Sequence, residues 1–277
     1  MCERWNILLY NHDYVINQNK RKETRFMSNI TQLKTQLKAL KLSGTLDTIE
    51  LRIMEASQNQ LSFSEMLSMI LADELQTRQN RKLQRLITEA HLESNKTLES
   101  FDFTFNRSIN ASQIRELATC RFIEQGENIF FIGPTGTGKT HLAKAIGHKA
   151  CRQYLRVGLY NFHELFLVLT KAELSDRIEK QMKMMIRYDL LIIDDFAFKK
   201  TDQRTAELLY ALVDGRYGKG SIILTSNRGM SDWGNIFPDP IMGNALMDRL
   251  CHNAHQIIIK GESYRKKFSP KLKGQGS

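Results

Sequence analysis

The stretch Gly133-Pro134-Thr135-Gly136-Thr137-Gly138-Lys139-Thr140 fits the pattern G-x-x-x-x-G-K-[ST], and no other part of the sequence limits the fold as strongly. Its flanks give the pattern meaning. Asn128-Ile129-Phe130-Phe131-Ile132 is a short apolar run that reads as a fully buried strand, and His141-Leu142-Ala143-Lys144-Ala145-Ile146 opens an Ala-rich amphipathic helix. Strand, glycine turn and helix start are the setting of a phosphate-binding loop. The glycines let the backbone curl with its N–H groups inward, and the helix N-terminus adds positive partial charge. In such a loop Lys139 reaches the β- and γ-phosphates of a nucleoside triphosphate, and the Thr140 hydroxyl holds Mg²⁺.

A second apolar run, Leu190-Leu191-Ile192-Ile193, ends in Asp194-Asp195 about fifty residues later. Four apolar residues belong in the middle of a sheet, so the carboxylates emerge at the strand's end, where a ligand sits in an open α/β fold. Asp194 is placed to hold Mg²⁺, and Asp195 to polarise the water that attacks the γ-phosphate. A third strand ends in Thr225-Ser226-Asn227, and Asn227 is a candidate to orient that water. Arg249, in Asp248-Arg249-Leu250, is either an arginine finger for a neighbouring subunit or an ordinary surface ion pair.

Around these runs the chain alternates strands and helices. Strands are expected near Val157–Tyr160, Ser221–Thr225 and Gln256–Ile259, and helices across His163–Lys171, Leu174–Arg187, Thr201–Tyr217 and Ala245–Cys251. Such alternation predicts an α/β fold, a parallel sheet covered by helices on both faces. The preceding region, 27–100, reads as a small all-helical domain. Leu33, Leu37 and Leu40 share a face, with Gly44 as a stop; Leu46, Ile49, Ile53 and Met54 mark a second helix. Ser62 and Glu65 form a capping box before Met66, Leu67, Ile70, Leu71 and Leu75. Arg78, Arg81, Lys82 and Arg85 share one face of that third helix, either solvated or facing an acidic or phosphate-bearing partner. The aromatic stretch from Leu98 to Phe105 reads as a strap into the domain spanning 101–264, where Ser112 is expected to cap a short helix ending at Leu117. Residues 1–26 read as a disordered extension, or as a misassigned start with Met27 as the natural first residue; 265–277 form a basic tail.

The formal charge is +10, and half of that excess lies in the last eighteen residues. A basic balance with a basic tail suits a nucleic-acid partner as well as it suits a merely soluble surface. Four widely spaced cysteines without a C-x-x-C pair suit reduced thiols in a cytoplasmic protein. No apolar run approaches the ~20 residues of a membrane helix, which argues against a membrane partner. Cys251, His252 and His255 stand close together and are read as structural, not as a metal site. Lys199, Lys200 and Arg204, with Lys266, Lys267, Lys271 and Lys273 of the tail, are candidate phosphate contacts for DNA.

Taken together, Gly133 to Ala143 including His141, Leu191 to Asp195, Thr225-Ser226-Asn227, Trp233, Asp248-Arg249-Leu250 and Gly261-Glu262-Ser263-Tyr264-Arg265 resemble the IstB-like ATPases, helpers of insertion-sequence transposition related to DnaC-type helicase loaders. The resemblance runs from about residue 30 to 267. It implies an AAA+ P-loop ATPase, with ATP and Mg²⁺ as cofactors, that self-assembles on double-stranded DNA and assists the transposase of the same element. It further implies that the strand ending at Asn227 lies between those leading to Lys139 and Asp194. Lys139, Thr140 and the rest of the loop through His141 become nucleotide-binding positions, Asp194 the metal-associated carboxylate, Asp195 the catalytic one, Asn227 a sensor, Arg249 the finger and Arg265 a second arginine. A replicative helicase stays open as the alternative partner, as does a defective remnant of such an element. Two positions depart from the family pattern. Asp195 stands where many AAA+ proteins have Glu, implying slow turnover, and Phe196-Ala197-Phe198 follows where a glycine is common.

Overall fold

The computed structural model describes residues 27–267, and the expectations placed on 1–26, Lys271 and Lys273 lie outside them. The described chain forms two compact units, one up to Lys82 and one from Leu83 onward. The first is helical: α1 (27–39), α2 (Ser43–Gln58) and the first part of α3 (Phe63–Glu89). Leu37, Ile49 and Ile70 form its core, with Leu33, Leu46, Ile53 and Met66 packed around them. The capping box is present: the Ser62 N–H donates to Glu65 Oε2 at 2.8 Å and the Glu65 N–H to Ser62 Oγ at 3.3 Å. Gly44 does not stop a helix; it lies in the first turn of α2. Its N–H and that of Thr45 donate to buried Glu74 at 2.8 and 3.1 Å, and a Cβ at Gly44 would meet Thr77 at 2.6 Å. Close packing between helices, not a turn, requires this glycine.

In the second unit the three central strands divide their side chains between two cores, as buried parallel strands must. Short helices α4 (Ala111–Leu117) and α5 (Arg121–Glu124) lead into β1 (Asn128–Ile132), α6 (Lys139–Arg152) and β2 (Val157–Asn161). Then follow α7 (Phe162–Leu174), α8 (Ile178–Ile186), β3 (Leu190–Asp194), α9 (Gln203–Arg216) and β4 (Ser221–Ser226). The unit closes with α10 (Pro240–Cys251), β5 (Ala254–Ile258) and α11 (Tyr264–Lys267). The strands pair in parallel in the order β2-β3-β4-β1-β5, so β4 lies between β1 and β3. Phe130, Leu191, Ile193 and Leu224 face α7 to α10, while Ile129, Phe131, Ile192 and Ile223 face α4 to α6. One residue of register separates the two cores.

Local chemistry sets the helix ends. Asn110, not Ser112, caps α4 by accepting from Ser112 N and Gln113 N. The helix expected over Leu174–Arg187 begins later because the chain turns through Asp176 at φ 53 before α8. Asp239 caps α10 with Pro240 in its first turn, five residues ahead of the expected start at Ala245. The sequence around Ile241-Met242-Gly243-Asn244 is weakly periodic, so the Asp-Pro pair was the better signal.

Arg216 ties α9 to the sheet. It is 1% exposed, donates to the carbonyls of Met185, Ile186 and Tyr188 at 2.7, 3.3 and 2.8 Å, and reaches Ser221 O at 2.7 Å. Burial lowers its pKa to about 10. Arg216→Leu is expected to cost about 2–4 kcal/mol of unfolding free energy by stranding those carbonyls. Urea denaturation checks this, and a midpoint equal to that of the parent chain contradicts it.

Candidate functional site

Three strands deliver the site. β1 runs into the phosphate loop, β3 ends in Asp194, and β4 carries Thr225 between them. Gly136 and Gly138 have φ of 84° and 100°, conformations that side chains rarely tolerate. Close approach adds to this: a Cβ at Gly136 would lie 2.1 Å from Ser263 Oγ, and one at Gly138 would lie 2.8 Å from the Phe101 ring. The loop feeds α6, whose first turn holds Lys139 and Thr140 and has no acidic residue. Backbone N–H groups and helix dipole therefore face a cavity of about 650 Å³ with nothing in that turn to repel an anion.

Lys139 is 6% exposed and donates to the carbonyls of Gly133 and Pro134, both at 2.8 Å. Burial lowers its pKa, against the opposing pull of Asp195 and Asp194. Thr140 Oγ1 donates to Asp194 Oδ1 at 2.8 Å, and Thr225 Oγ1 donates to the same oxygen. Thr225 also accepts from the Asp195 backbone N–H at 3.0 Å, so a single buried hydroxyl holds the Asp194 carboxylate and the backbone of the residue after it. Asn161, which caps α7, donates through Nδ2 to Asp195 Oδ2 at 3.2 Å. Burial first, and then the Asp194 charge, raise the Asp195 pKa. Thr140 and Asp194 together offer a hydroxyl and a carboxylate, the hard oxygen donors that Mg²⁺ takes alongside phosphate and water.

The other expected positions divide. Asn227 is exposed just past β4 and lines, with Asp195, Lys199 and Lys200, an adjoining cavity of about 710 Å³. His141 lines the loop's cavity, with Nε2 2.8 Å from Thr97 O and 3.3 Å from Ser100 Oγ and the ring meeting Phe101 edge-on at 5.1 Å. Burial lowers its pKa. Arg249 is outside this chain's own site, donating to Asp214 at 2.9 Å and lying 4.9 Å over the Tyr210 ring. Arg204 is held by Glu173 and Glu207, and Arg85 lies 3.6 Å from Glu89. His255 pairs with Glu127 at 2.8 Å and His252 packs on Tyr217. Among the described residues no group of three or more His, Cys, Asp or Glu is arranged to hold a metal.

The family model described as IstB-like ATP binding protein matches residues 35–271. The chain belongs to the IstB-like ATP-binding proteins. The IstB-like chain is 39% identical over 236 residues to a protein of insertion sequence IS21 from Pseudomonas aeruginosa, named as ATP-binding, covering 85% of this chain and 89% of that one. Over 234 residues it is 37% identical to a protein of IS232 from Bacillus thuringiensis subsp. berliner, also named as ATP-binding, at 84% and 94% coverage. Two solved structures share the fold. One is AMPPCP-bound DnaA from Aquifex aeolicus, with TM-score 0.51, 24% identity, and 63% of this chain against about half, 53%, of that one. The other is the DnaC helicase loader, with TM-score 0.50, 22% identity, and coverage of 60% and 98%.

One feature of the IstB-like site escaped sequence reasoning. Asn161 and Thr225 look like an ordinary helix cap and a strand residue until the strand order sets them beside the carboxylates. The chain's later segment also reaches the loop: the Tyr264 N–H donates to Gly136 O at 2.9 Å, its ring packs on Phe105, and Arg265 lines the cavity. The Phe196-Ala197-Phe198 departure is absorbed by Ala197 at φ 63, with Phe196 and Ala197 buried and Phe198 exposed. Phe196 and Phe130 clasp Trp233 from two sides at 4.9 and 5.2 Å, which anchors the turn after Asp195.

Proposed function

We propose that this IstB-like protein hydrolyses ATP, self-assembles on double-stranded DNA and assists the transposase of its insertion sequence. The observation that carries the ATPase reading is the meeting of Lys139, Thr140, Asp194 and Asp195 beyond the ends of β1 and β3, on either side of β4, with Thr140 and Asp194 already in contact. The loop's N–H groups take the phosphates, and the Lys139 amine exchanges the carbonyls of Gly133 and Pro134 for phosphate oxygen. Thr140 and Asp194 would hold Mg²⁺, which when bound neutralises charge on the β- and γ-phosphates. Asp195 accepts the proton of the attacking water, with Asn161 fixing its carboxylate and Thr225 its backbone, and Asn227 holds that water from the β4 side. Arg265 contacts phosphate within the chain. Arg249 acts in an adjoining copy, which requires it to leave Asp214 on assembly.

The transposition role is supported by relatives that belong to insertion sequences. The likeness to the DnaC loader shows the fold alone and does not favour helicase loading. Fluorescence anisotropy of a labelled duplex tests the reading. Binding is expected to be cooperative and at least tenfold tighter with ATP than without, and the complex is expected to retain the transposase encoded beside it. Duplex binding indifferent to nucleotide overturns the assembly reading, and failure to retain the transposase overturns the helper role.

A further inference from the structure

Helix α3 is apolar on more of its surface than the helical unit buries. Met66 and Ile70 enter the core with Leu37 and Ile49. Phe63, Leu67, Leu71 and Leu75 do not: they are 74%, 42%, 52% and 61% exposed. At four-residue spacing they form one outward stripe, and on a helix of 3.6 residues per turn Arg78, Arg81 and Lys82 continue the same face. The face is thus apolar from Phe63 to Leu75 and basic from Arg78 to Lys82, over about 28 Å in all.

We infer that this face docks an amphipathic helix of a partner protein whose apolar stripe runs into a cluster of carboxylates. An exposed apolar stripe of this length on a solvated helix marks an interaction surface. Charge selects the occupant. A nucleic acid would satisfy the basic end and leave four apolar side chains against phosphate. A second copy pairing in parallel would set basic run against basic run. An antiparallel copy would bring each basic run to the Ser62 end of the other, where Glu65 is turned back onto Ser62. Arg78 spends its Nε on Glu74, yet its side chain is 58% exposed. Arg81 donates to Ser43 Oγ. Both guanidiniums are therefore held in place on the helix, ready for carboxylates from outside.

This surface deepens the partner reading above, but its test uses neither ATP nor DNA, so the two fail separately. The probe is a fluorescein-labelled synthetic helix with leucines at four-residue spacing and a glutamate-rich end, paired with a control whose glutamates are lysines. Fluorescence polarisation with the full chain is expected to show the acidic peptide binding at least tenfold tighter than the control. Leu71→Gln is expected to weaken it tenfold or more with an unchanged circular dichroism spectrum, since Leu71 lies outside the core. The double change Arg78→Glu and Arg81→Glu is expected to reverse the preference between the peptides. Equal affinity for the two peptides, or insensitivity to Leu71→Gln, overturns the proposal. A nucleotide-free dimer that Leu71→Gln dissociates in sedimentation, or binding seen only after removal of residues 1–26, overturns it in favour of a second copy or of the chain's own start.

Discussion

Replacing Lys139 with Ala is expected to lower ATP hydrolysis by roughly 10²–10³-fold and to remove measurable Mg-ATP uptake in calorimetry. The reason lies in how the amine is kept. It is almost fully buried, satisfied by two loop carbonyls, and its charge is supported by Asp194 and Asp195 across the cavity. A triphosphate brings a counter-charge into direct contact, where the carboxylates act only across the cavity, so much of the binding energy is gained at that one contact. Alanine removes it while leaving the glycine turn and α6 intact. The thermal midpoint without nucleotide should therefore stay close to the parent's, and the rise on adding Mg-ATP should vanish. Undiminished ATP uptake by this variant would show that the loop is not a phosphate site.

Asp195→Asn is expected to separate binding from chemistry. Asparagine keeps the shape, can still accept from Asn161, and leaves the backbone N–H bond to Thr225 in place, but it cannot accept a proton. Hydrolysis should fall by about 10²–10⁴-fold with ATP affinity held or improved, because a negative group near the γ-phosphate has gone. The pH dependence follows from the raised Asp195 pKa. The working form is the carboxylate, so activity is present above that pKa and is lost as pH falls through it, at a pH above the ordinary aspartate range. The Asn161 hydrogen bond pulls the pKa down against burial and Asp194. Asn161→Ala should therefore move the acid limb of kcat to higher pH without abolishing the reaction. A limb that stays put in Asn161→Ala, or parent-like hydrolysis by Asp195→Asn, would assign the proton acceptor elsewhere.

The strands and the loop were legible because their chemistry is local. A run such as Leu190 to Ile193 has few alternatives to a central strand, and Gly138-Lys139-Thr140 between strand and helix has few alternatives to a phosphate cradle. The position of β4 was legible only through the family resemblance, since nothing in Ile222-Ile223-Leu224 names its neighbours. Gly44 was misread because a glycine at a helix boundary and one admitting another helix look alike in one dimension. Asn161 and Thr225 stayed hidden for the same reason: a cap residue and a strand threonine acquire their role from carboxylates some thirty positions away. The apolar positions of α3 were visible as periodicity, but only burial separates Met66 and Ile70, which join the core, from Leu67, Leu71 and Leu75, which do not.

Asn106 Nδ2 and Ser108 Oγ both donate to Lys260 O, at 2.7 and 2.9 Å, and the Lys260 N–H returns a bond to Ser108 Oγ at 3.0 Å. The stretch just before α4 is thus stitched to the stretch just after β5, and Ser263 and Tyr264 beyond it rest against Gly136. Tension applied to the chain beyond Tyr264 meets the phosphate loop and then this stitch before it reaches the sheet. The polypeptide's seam and its nucleotide cradle are mechanically one joint.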